Sequence, residues 1–337
     1  MSELNLGRVA ISLPAPGLDA RACVEIARRA EREWGYDAIW LAETSGPDSF
    51  ALGGAIATAT DVSTIGTAIV PVYNRTPAVL AMSAATMQQI SGGRFVLGLG
   101  SSSHAIIGDW NGIPFERPLT HVRESVAILR QALAGEKTHF SGEVLRSKGF
   151  RLGNVPEQPV PIYLAALREK MLRLAGAIGD GLIVNLFPAS ALPQILAAYR
   201  TGATESGRDA TRHEVVCRFQ VLVGDDRAMA RNVVRMAFGG YMSAPVYNKF
   251  LAWCGFESEM REVAAAFARK DRAGVASAMS DDLVDRITIL GTADQCREQI
   301  AAFVAAGVTT PVLSPLAMDR RGVEAVFEAF APARARA

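Results

Sequence analysis

The chain has 337 residues, of which half are hydrophobic, and a net charge of +1 with acidic and basic residues interspersed. This length and composition allow a large buried core. Because α/β barrels of this size routinely form a single unit, we expect one domain over residues 1–337. The balanced charge argues against a polyanionic partner, so we expect a small-molecule substrate and no nucleic acid.

The spacing of the cysteines and the lengths of the apolar runs indicate the cellular compartment of the protein. Cys23, Cys217, Cys254 and Cys296 lack paired spacing, which argues against a disulfide framework or a zinc ribbon. No other His, Cys, Asp or Glu set has metal-ligand spacing, so we expect no metal. No stretch approaches the roughly 20 apolar residues of a membrane span, and the first residues lack a signal-peptide pattern. We therefore expect a cytoplasmic protein without membrane contact.

Taken in chain order, short apolar runs alternate with helical periodicity. The strand candidates are 8–13, 38–42, 63–70, 95–99, 162–165, 181–184, 215–223 and 311–314. Two stretches interrupt this alternation, a predicted hairpin insertion near 138–152 and a long helical insertion over 227–285. Eight strands separated by helices predict a (β/α)8 TIM barrel, with a doubly wound open sheet as the less favoured alternative.

In such a barrel the active site lies at the carboxyl ends of the strands. The fourth strand candidate runs directly into Ser101, Ser102, Ser103 and His104. Small hydroxylated residues offer accessible amides and hydroxyls to a ligand. The glycines here nearly match a dinucleotide fingerprint, but that motif must open a helix directly, and glycines and prolines follow instead. We therefore expect a cofactor contact of a different kind at this strand end.

Four segments carry a family resemblance: GTAIVPVYNRTPAVLA, SGGRFVLGLGSSSHAIIGDWNGIPFERPL, PIYLAALREKMLRLAGAIGDGLIVN and LGTADQCREQIAAFVAAGV. They resemble the luciferase-like superfamily, and within it the oxidoreductases that use the deazaflavin coenzyme F420. The resemblance spans nearly the whole chain. It implies an enzyme on a TIM barrel that transfers hydride between the deazaflavin C5 and a small organic substrate, by alcohol oxidation or by enone or imine reduction. Similar proteins are commonly dimers, so we expect a homodimer.

The resemblance also implies where the cofactor lies. A non-proline cis peptide at the bond between residues 68 and 69 would form a bulge behind the ring, and a helix N-terminus after the fifth strand would hold the phosphate. The serine run would contact the polar part of the cofactor. The residues expected to bind it are Glu43, Thr44, Ala68, Ile69, Val70, Ser101, Ser102, Ser103, Ala165, Ala166, Leu167 and Arg168.

Two departures from the family pattern affect the chemistry. The sugar-phosphate dehydrogenase members have a catalytic histidine and a proton-donating glutamate where this chain has Thr44 and Ser103. A threonine cannot replace histidine as a general base. The expected catalytic residues are Glu43, Ser103 and His104, with His104 as the alternative acid and reduction slightly favoured. Two alternatives stay open: an FMN-dependent luciferase-like monooxygenase, and a non-catalytic deazaflavin-binding protein.

Overall fold

The computed structural model describes residues 4–332. Its strands in chain order are β1 (Ala10–Leu13), β2 (Ala38–Leu41), β3 (Thr64–Thr67), β4 (Val70–Pro71), β5 (Phe95–Gly100), β6 (His139–Ser141), β7 (Arg146–Lys148), β8 (Ile162–Ala165), β9 (Gly181–Asn185), β10 (Glu214–Val223), β11 (Ile289–Gly291) and β12 (Thr310–Pro315). Its helices are α1 (Ala20–Arg32), α2 (Ser49–Ala59), α3 (Pro77–Ile90), α4 (Pro118–Leu133), α5 (Glu169–Ile178), α6 (Leu192–Glu205), α7 (Arg227–Ser243), α8 (Pro245–Leu251), α9 (Glu257–Ala268), α10 (Arg272–Ala278), α11 (Asp281–Ile287), α12 (Ala293–Ala306) and α13 (Arg320–Ala329).

Eight parallel strands close into a barrel. The order is β1, β2, β3, β5, β8, β9, β10 and β12, and β12 pairs with β1 to close the ring. Helices connect successive strands, as parallel pairing requires. The predicted (β/α)8 barrel is confirmed, and each strand candidate is one of its strands. The third candidate is divided into β3 and β4, which both pair with β5.

The helices cover the barrel because their apolar residues recur on one face. In α1 the buried residues Cys23, Ile26, Ala27 and Ala30 follow this spacing. The helix begins where the Asp19 carboxylate accepts a hydrogen bond from the Ala22 amide at 2.8 Å. The four cysteines of the chain are all buried and unpaired. Burial raises the pKa of the Cys23 thiol to about 11, so this cysteine behaves as a packing residue.

Two segments depart from the simple repeat. The antiparallel strands β6 and β7 form a hairpin within the stretch predicted for one. Between β10 and β12 the chain forms α7 to α11, whose buried apolar side chains make a second core that includes Val234, Met242 and Leu283. Strand β11 follows and pairs with the upper part of β10, a pairing that the sequence analysis did not predict. The assignment of all these elements to one domain stays a prediction.

The barrel interior is filled in its lower part. Seven buried side chains form a cluster there: Ala10, Ala38, Trp40, Val96, Ile183, Val216 and Val312. Below them the Glu214 carboxylate accepts hydrogen bonds from Arg8 at 3.2 Å, Thr310 at 2.6 Å and Tyr163 at 2.9 Å. This polar group closes the amino end of the barrel and leaves the carboxyl end as the open mouth.

Candidate active site

Side chains alternate along each strand, so the inward-facing positions beyond the interior cluster, toward the carboxyl ends of the strands, define the mouth. One half of the mouth carries alanine and glycine, and we call it the small-residue half: Ala42, Ala68, Gly98, Gly100 and Ala165. The other half carries polar side chains, and we call it the polar half: Ser12, Asn185, Arg218, Gln220 and Ser314. The mouth is therefore divided into a flat apolar part and a hydrogen-bonding part.

A bulge in the third strand shapes the small-residue half. Gly66 pairs with Val96, but Val70 pairs with Leu99, so the third strand holds one residue more than β5 between these pairs. The cis peptide expected at Ala68–Ile69 is present. The Thr67 hydroxyl supports the bulge, since it donates to the Gly98 carbonyl and accepts from the Gly98 amide, each at 2.8 Å.

Ile69, Gly100 and Ala165 form a floor in the small-residue half. A Cβ atom placed on Gly100 would lie 3.1 Å from Ala165 Cβ and 3.1 Å from Ile69 Cδ1. The alanine and the isoleucine are partly exposed, although they pack on the interior cluster. The floor is apolar, it is partly exposed at Ile69 and Ala165, and no side chain projects from the buried Gly100. This surface fits the face of a planar ring.

The serine run lies beside this floor, directly after β5. Ser102 has a φ of 64°, which is uncommon for a residue with a side chain and occurs more often at functional sites. The Ser103 hydroxyl accepts a hydrogen bond at 3.5 Å from Ile106, at the start of the π-helical turn Ala105–Trp110. All three serines are partly exposed.

His104 lies on the outside of this π-helical turn. Its side chain is 69% exposed, and Nδ1 is 3.4 Å from the Asp109 carboxylate. The ring packs edge-on against Phe115 at a centroid distance of 6.5 Å. The predicted acid therefore contacts residues of its own loop.

Glu43 is held by an ion pair. Arg75 donates to both of its carboxylate oxygens, at 2.6 Å and 3.0 Å, and the Ser49 amide adds a third hydrogen bond at 3.1 Å. Burial tends to lower the pKa of Arg75, but the ion pairs with Glu43 and Asp48 outweigh it and raise this pKa. The carboxylate therefore fixes the loop between β2 and α2, from which Thr44 projects into solvent.

The segment after β8 leads into the N-terminus of α5. The Ala166 amide donates to the Ile183 carbonyl at 3.2 Å, which ties the segment to β9. Arg168 stands at the N-cap position, exposed and without a side-chain cap hydrogen bond. First-turn amides of a helix attract anions, and here Glu169 is the acidic residue in that turn. Leu167 is partly exposed beside it.

Arg218 and Gln220, in the polar half, were missed by the sequence analysis. Arg218 Nε donates to Ser12 Oγ at 2.9 Å, and the Cα partner of Arg218 on β9 is Asn185. The Tyr247 hydroxyl, from α8 of the helical segment, donates to Asn185 Oδ1 at 3.4 Å. A signal was present in the sequence, because Arg218 is the single Lys or Arg within the eight barrel strands.

Residues 4–332 contain no group of three or more His, Cys, Asp or Glu side chains placed to hold a metal ion. Within the same residues, every helix is too short or too polar to cross a bilayer.

The family model for luciferase-like monooxygenases matches residues 4–310. This chain belongs to the luciferase-like monooxygenase family. A curated relative in Methanolobus tindarius, a 5,10-methylenetetrahydromethanopterin reductase, is 30% identical over 87% of this chain and 90% of its own length. The F420-dependent glucose-6-phosphate dehydrogenase of Rhodococcus erythropolis is 28% identical, over 99% of this chain and 98% of its own.

The solved structures of similar fold include one protein named for coenzyme F420 and one in complex with FMN. The coenzyme F420-dependent tetrahydromethanopterin reductase from Methanopyrus kandleri superposes with a TM-score of 0.81 at 23% identity, over 97% of each chain. The oxygenating constituent of 3,6-diketocamphane monooxygenase from Pseudomonas putida, in complex with FMN, gives a TM-score of 0.69 at 20% identity, over 97% of each chain. These similarities establish the shared luciferase-like fold.

Proposed function

We propose that the protein is an oxidoreductase that binds coenzyme F420 and transfers hydride between the deazaflavin C5 and a small organic substrate. The observation that carries the proposal is the apolar floor of Ile69, Gly100 and Ala165, partly exposed at Ile69 and Ala165, which suits the face of a planar ring. The similarity in sequence to an F420-dependent relative supports deazaflavin over FMN. When bound, F420 supplies the hydride donor or acceptor at C5.

The residues of the chain would orient this group and its substrate. Ser101, Ser102 and Ser103 would contact its polar part, and the first-turn amides of α5 with Arg168 would hold its phosphate. Ala68 would shape the floor around the ring, and Val70 and Ala166, which are buried in the main core, would support it indirectly. Each of these positions stands at the carboxyl end of a barrel strand.

Proton transfer is the second task of the site. We assign it to His104 or to a water molecule, because the carboxylate of Glu43 is occupied by Arg75. Glu43 would then position the loop that carries Thr44. Neither Thr44 nor Ser103 supplies a base near neutral pH, so we propose reduction of an enone or imine, rather than sugar-phosphate oxidation.

Titration of the full-length protein with F420, and separately with FMN, tests the cofactor. We expect F420 to quench tryptophan fluorescence saturably, since Trp40 lies in the barrel interior, and FMN to bind weakly. Tight FMN binding with no response to F420 would contradict the proposal. If F420 binds but its reduced form is not oxidised by any member of a broad enone and imine panel, the non-catalytic alternative is favoured.

Ala165→Leu tests the floor itself. Its added side chain would occupy the space above Gly100, so we expect F420 to bind at least about tenfold more weakly, a cost of about 1.4 kcal/mol. Ala265→Leu is the matched control, because Ala265 is exposed on α9. Equal F420 dissociation constants for the two variants would refute the placement of the ring on this floor.

A further inference from the structure

The polar half of the mouth contains a charge that the proposed hydride transfer does not use. Arg218 follows Val216 by two residues on β10, so its side chain enters the barrel interior above the buried cluster. Protein surrounds the guanidinium closely, and the residue as a whole is still partly exposed. A lone arginine within barrel strands that are otherwise free of Lys and Arg requires an explanation.

The guanidinium of Arg218 is not neutralised by the protein. Its Nε–H is donated to Ser12 Oγ at 2.9 Å, which uses one of its five N–H donors. Within residues 4–332, no Asp or Glu carboxylate oxygen lies within 4.0 Å of the Arg218 guanidinium, the distance that defines an ion pair. Glu214 is about 13 Å away along the strand and is engaged by Arg8. The two amino groups therefore remain free for a ligand.

An unneutralised charge in such surroundings is unfavourable for folding. Burial lowers the pKa of Arg218, and the nearby phenols of Tyr241 and Tyr247 act in the opposite direction. The guanidinium nevertheless stays protonated near neutral pH, as arginine does in proteins generally. A positive charge kept without a protein partner at the mouth of a barrel indicates an anion supplied by a ligand.

A second unpaired donor lies on the same face of β10. Gln220 is 2% exposed, and its Nε2 has no hydrogen-bond partner in the structure. Buried amide groups are nearly always hydrogen-bonded, so an orphaned one is informative. Gln220 follows Arg218 by two residues, and its Cα partner on β12 is Ser314. Two neighbouring side chains therefore have N–H groups without acceptors.

We propose that Arg218 binds a carboxylate group of the substrate, with the amide of Gln220 as a further donor. The two oxygens of a carboxylate match the planar pair of terminal amino groups that the hydrogen bond to Ser12 leaves free. One positive charge balances one negative charge, which favours a carboxylate over a phosphate dianion. This inference rests on the proposed function, which identifies the molecule that carries the carboxylate as a substrate. That substrate would lie beside the cofactor and face the floor of the small-residue half.

Benzoate and its neutral isostere benzamide test this site, with the full-length protein both free and saturated with F420. We expect the wild-type protein to bind benzoate at least tenfold more tightly than benzamide in calorimetric titrations. Arg218→Met and Arg218→Gln should abolish this difference. Arg269→Gln, which removes an exposed charge on the protein surface, should retain it.

Stability separates a binding role of Arg218 from a structural role. Because Arg218→Met replaces an uncompensated charge with an apolar chain, we expect its melting temperature to equal or exceed that of the wild type. Arg218→Lys, which keeps the charge but loses the planar pair, should fold and show a reduced preference for benzoate. A large loss of stability in both Arg218→Met and Arg218→Gln would overturn the proposal in favour of a structural role.

The remaining outcomes separate the two proposals. Equal affinity of the wild type for benzoate and benzamide would overturn the carboxylate site. Weaker F420 binding in Arg218→Gln with an unchanged benzoate preference would also overturn it, because the guanidinium would then serve the cofactor. Absence of F420 binding together with an Arg218-dependent benzoate preference would count against the proposed function and support the carboxylate site.

Discussion

At the scale of single residues, Gly98 is a glycine whose surroundings leave no room for a side chain. A Cβ atom there would overlap the Thr67 carbonyl oxygen and lie 2.7 Å from Ile183 Cδ1. The same glycine exchanges two hydrogen bonds with the Thr67 hydroxyl. Close backbone approach is a specific reason for glycine in a strand. The bulge therefore depends on this residue.

Gly98→Ala should lower the free energy of unfolding by about 1–3 kcal/mol, because the bulge must move to admit a methyl group. Gly54→Ala is the matched control. A Cβ on Gly54 meets nothing within 4 Å, and this glycine lies inside α2, so we expect a gain of about 0.5–1 kcal/mol. Urea denaturation measures both. A Gly98→Ala protein as stable as the wild type would contradict the role of the bulge.

The sequence predicted which candidate residues lie at strand ends better than it predicted which side chains contact one another. The serine run and Ala165 were predictable as strand ends because strand periodicity and barrel geometry locate them. The contact between Glu43 and Arg75 spans 32 positions, so local sequence spacing could not show that an ion pair occupies this carboxylate. Arg218 was missed because its significance depends on the absence of a carboxylate nearby, which only the packed structure reveals.

At the scale of elements, a buried carboxylate holds the β6–β7 hairpin against α4. Glu124 is 3% exposed and accepts hydrogen bonds from the amides of Glu143, Val144 and Leu145 at 2.7 to 3.1 Å. Burial tends to raise the pKa of Glu124, and these three amides together with Arg123 outweigh it and lower the pKa. The charged form of Glu124 therefore stabilises the hairpin.

Acid should loosen this hairpin. Since the folded protein lowers the pKa of Glu124, its stabilisation is complete above the unfolded value of about 4.3 and is lost as the pH falls through the lower folded value. We expect hydrogen-exchange protection of the three hairpin amides to fall over that interval. Glu124→Gln should have low protection at neutral pH and little further change. Protection that stays constant in the wild type down to pH 3 would refute this.

Elements were predictable where the periodicity was long. The eight barrel strands and their connecting helices follow from alternation of apolar runs with helical spacing. Strand β11 has three residues after the short helix α11, so it carries too little pattern to be distinguished from the helix end. The division of the third strand depends on how β5 pairs with it, and pairing is not encoded in local spacing.

At the scale of the whole molecule, the two ends of the barrel differ in chemistry. Glu214 closes the amino end, where Arg8, Thr310 and Tyr163 satisfy its carboxylate. Burial raises the pKa of Tyr163, and Glu214 adds to this, so the phenol remains a donor. At the carboxyl end, donors are left without partners. In TIM-barrel enzymes generally, residues at the amino end serve stability and residues at the carboxyl end serve binding and catalysis.

Glu214→Leu should therefore reduce stability without altering the mouth. We expect the free energy of unfolding to fall by about 1–3 kcal/mol, because the Tyr163 and Thr310 hydroxyls lose their acceptor. The F420 dissociation constant should stay within about twofold of the wild type. Glu214→Gln keeps an acceptor and should cost less. Loss of F420 binding in a folded Glu214→Leu protein would show that the two ends are coupled.

A homodimer and a cytoplasmic location stay predictions.

The closure of the barrel through β12 has a consequence for synthesis on the ribosome. β1 pairs with β2 and with β12, and β12 begins at Thr310, 300 positions after the start of β1 at Ala10. During translation the first strand thus carries an unpaired edge, as does the strand most recently added. Such edges invite pairing with other chains. The nascent protein is exposed to aggregation until β12 emerges, so chaperone dependence should be greatest late in translation.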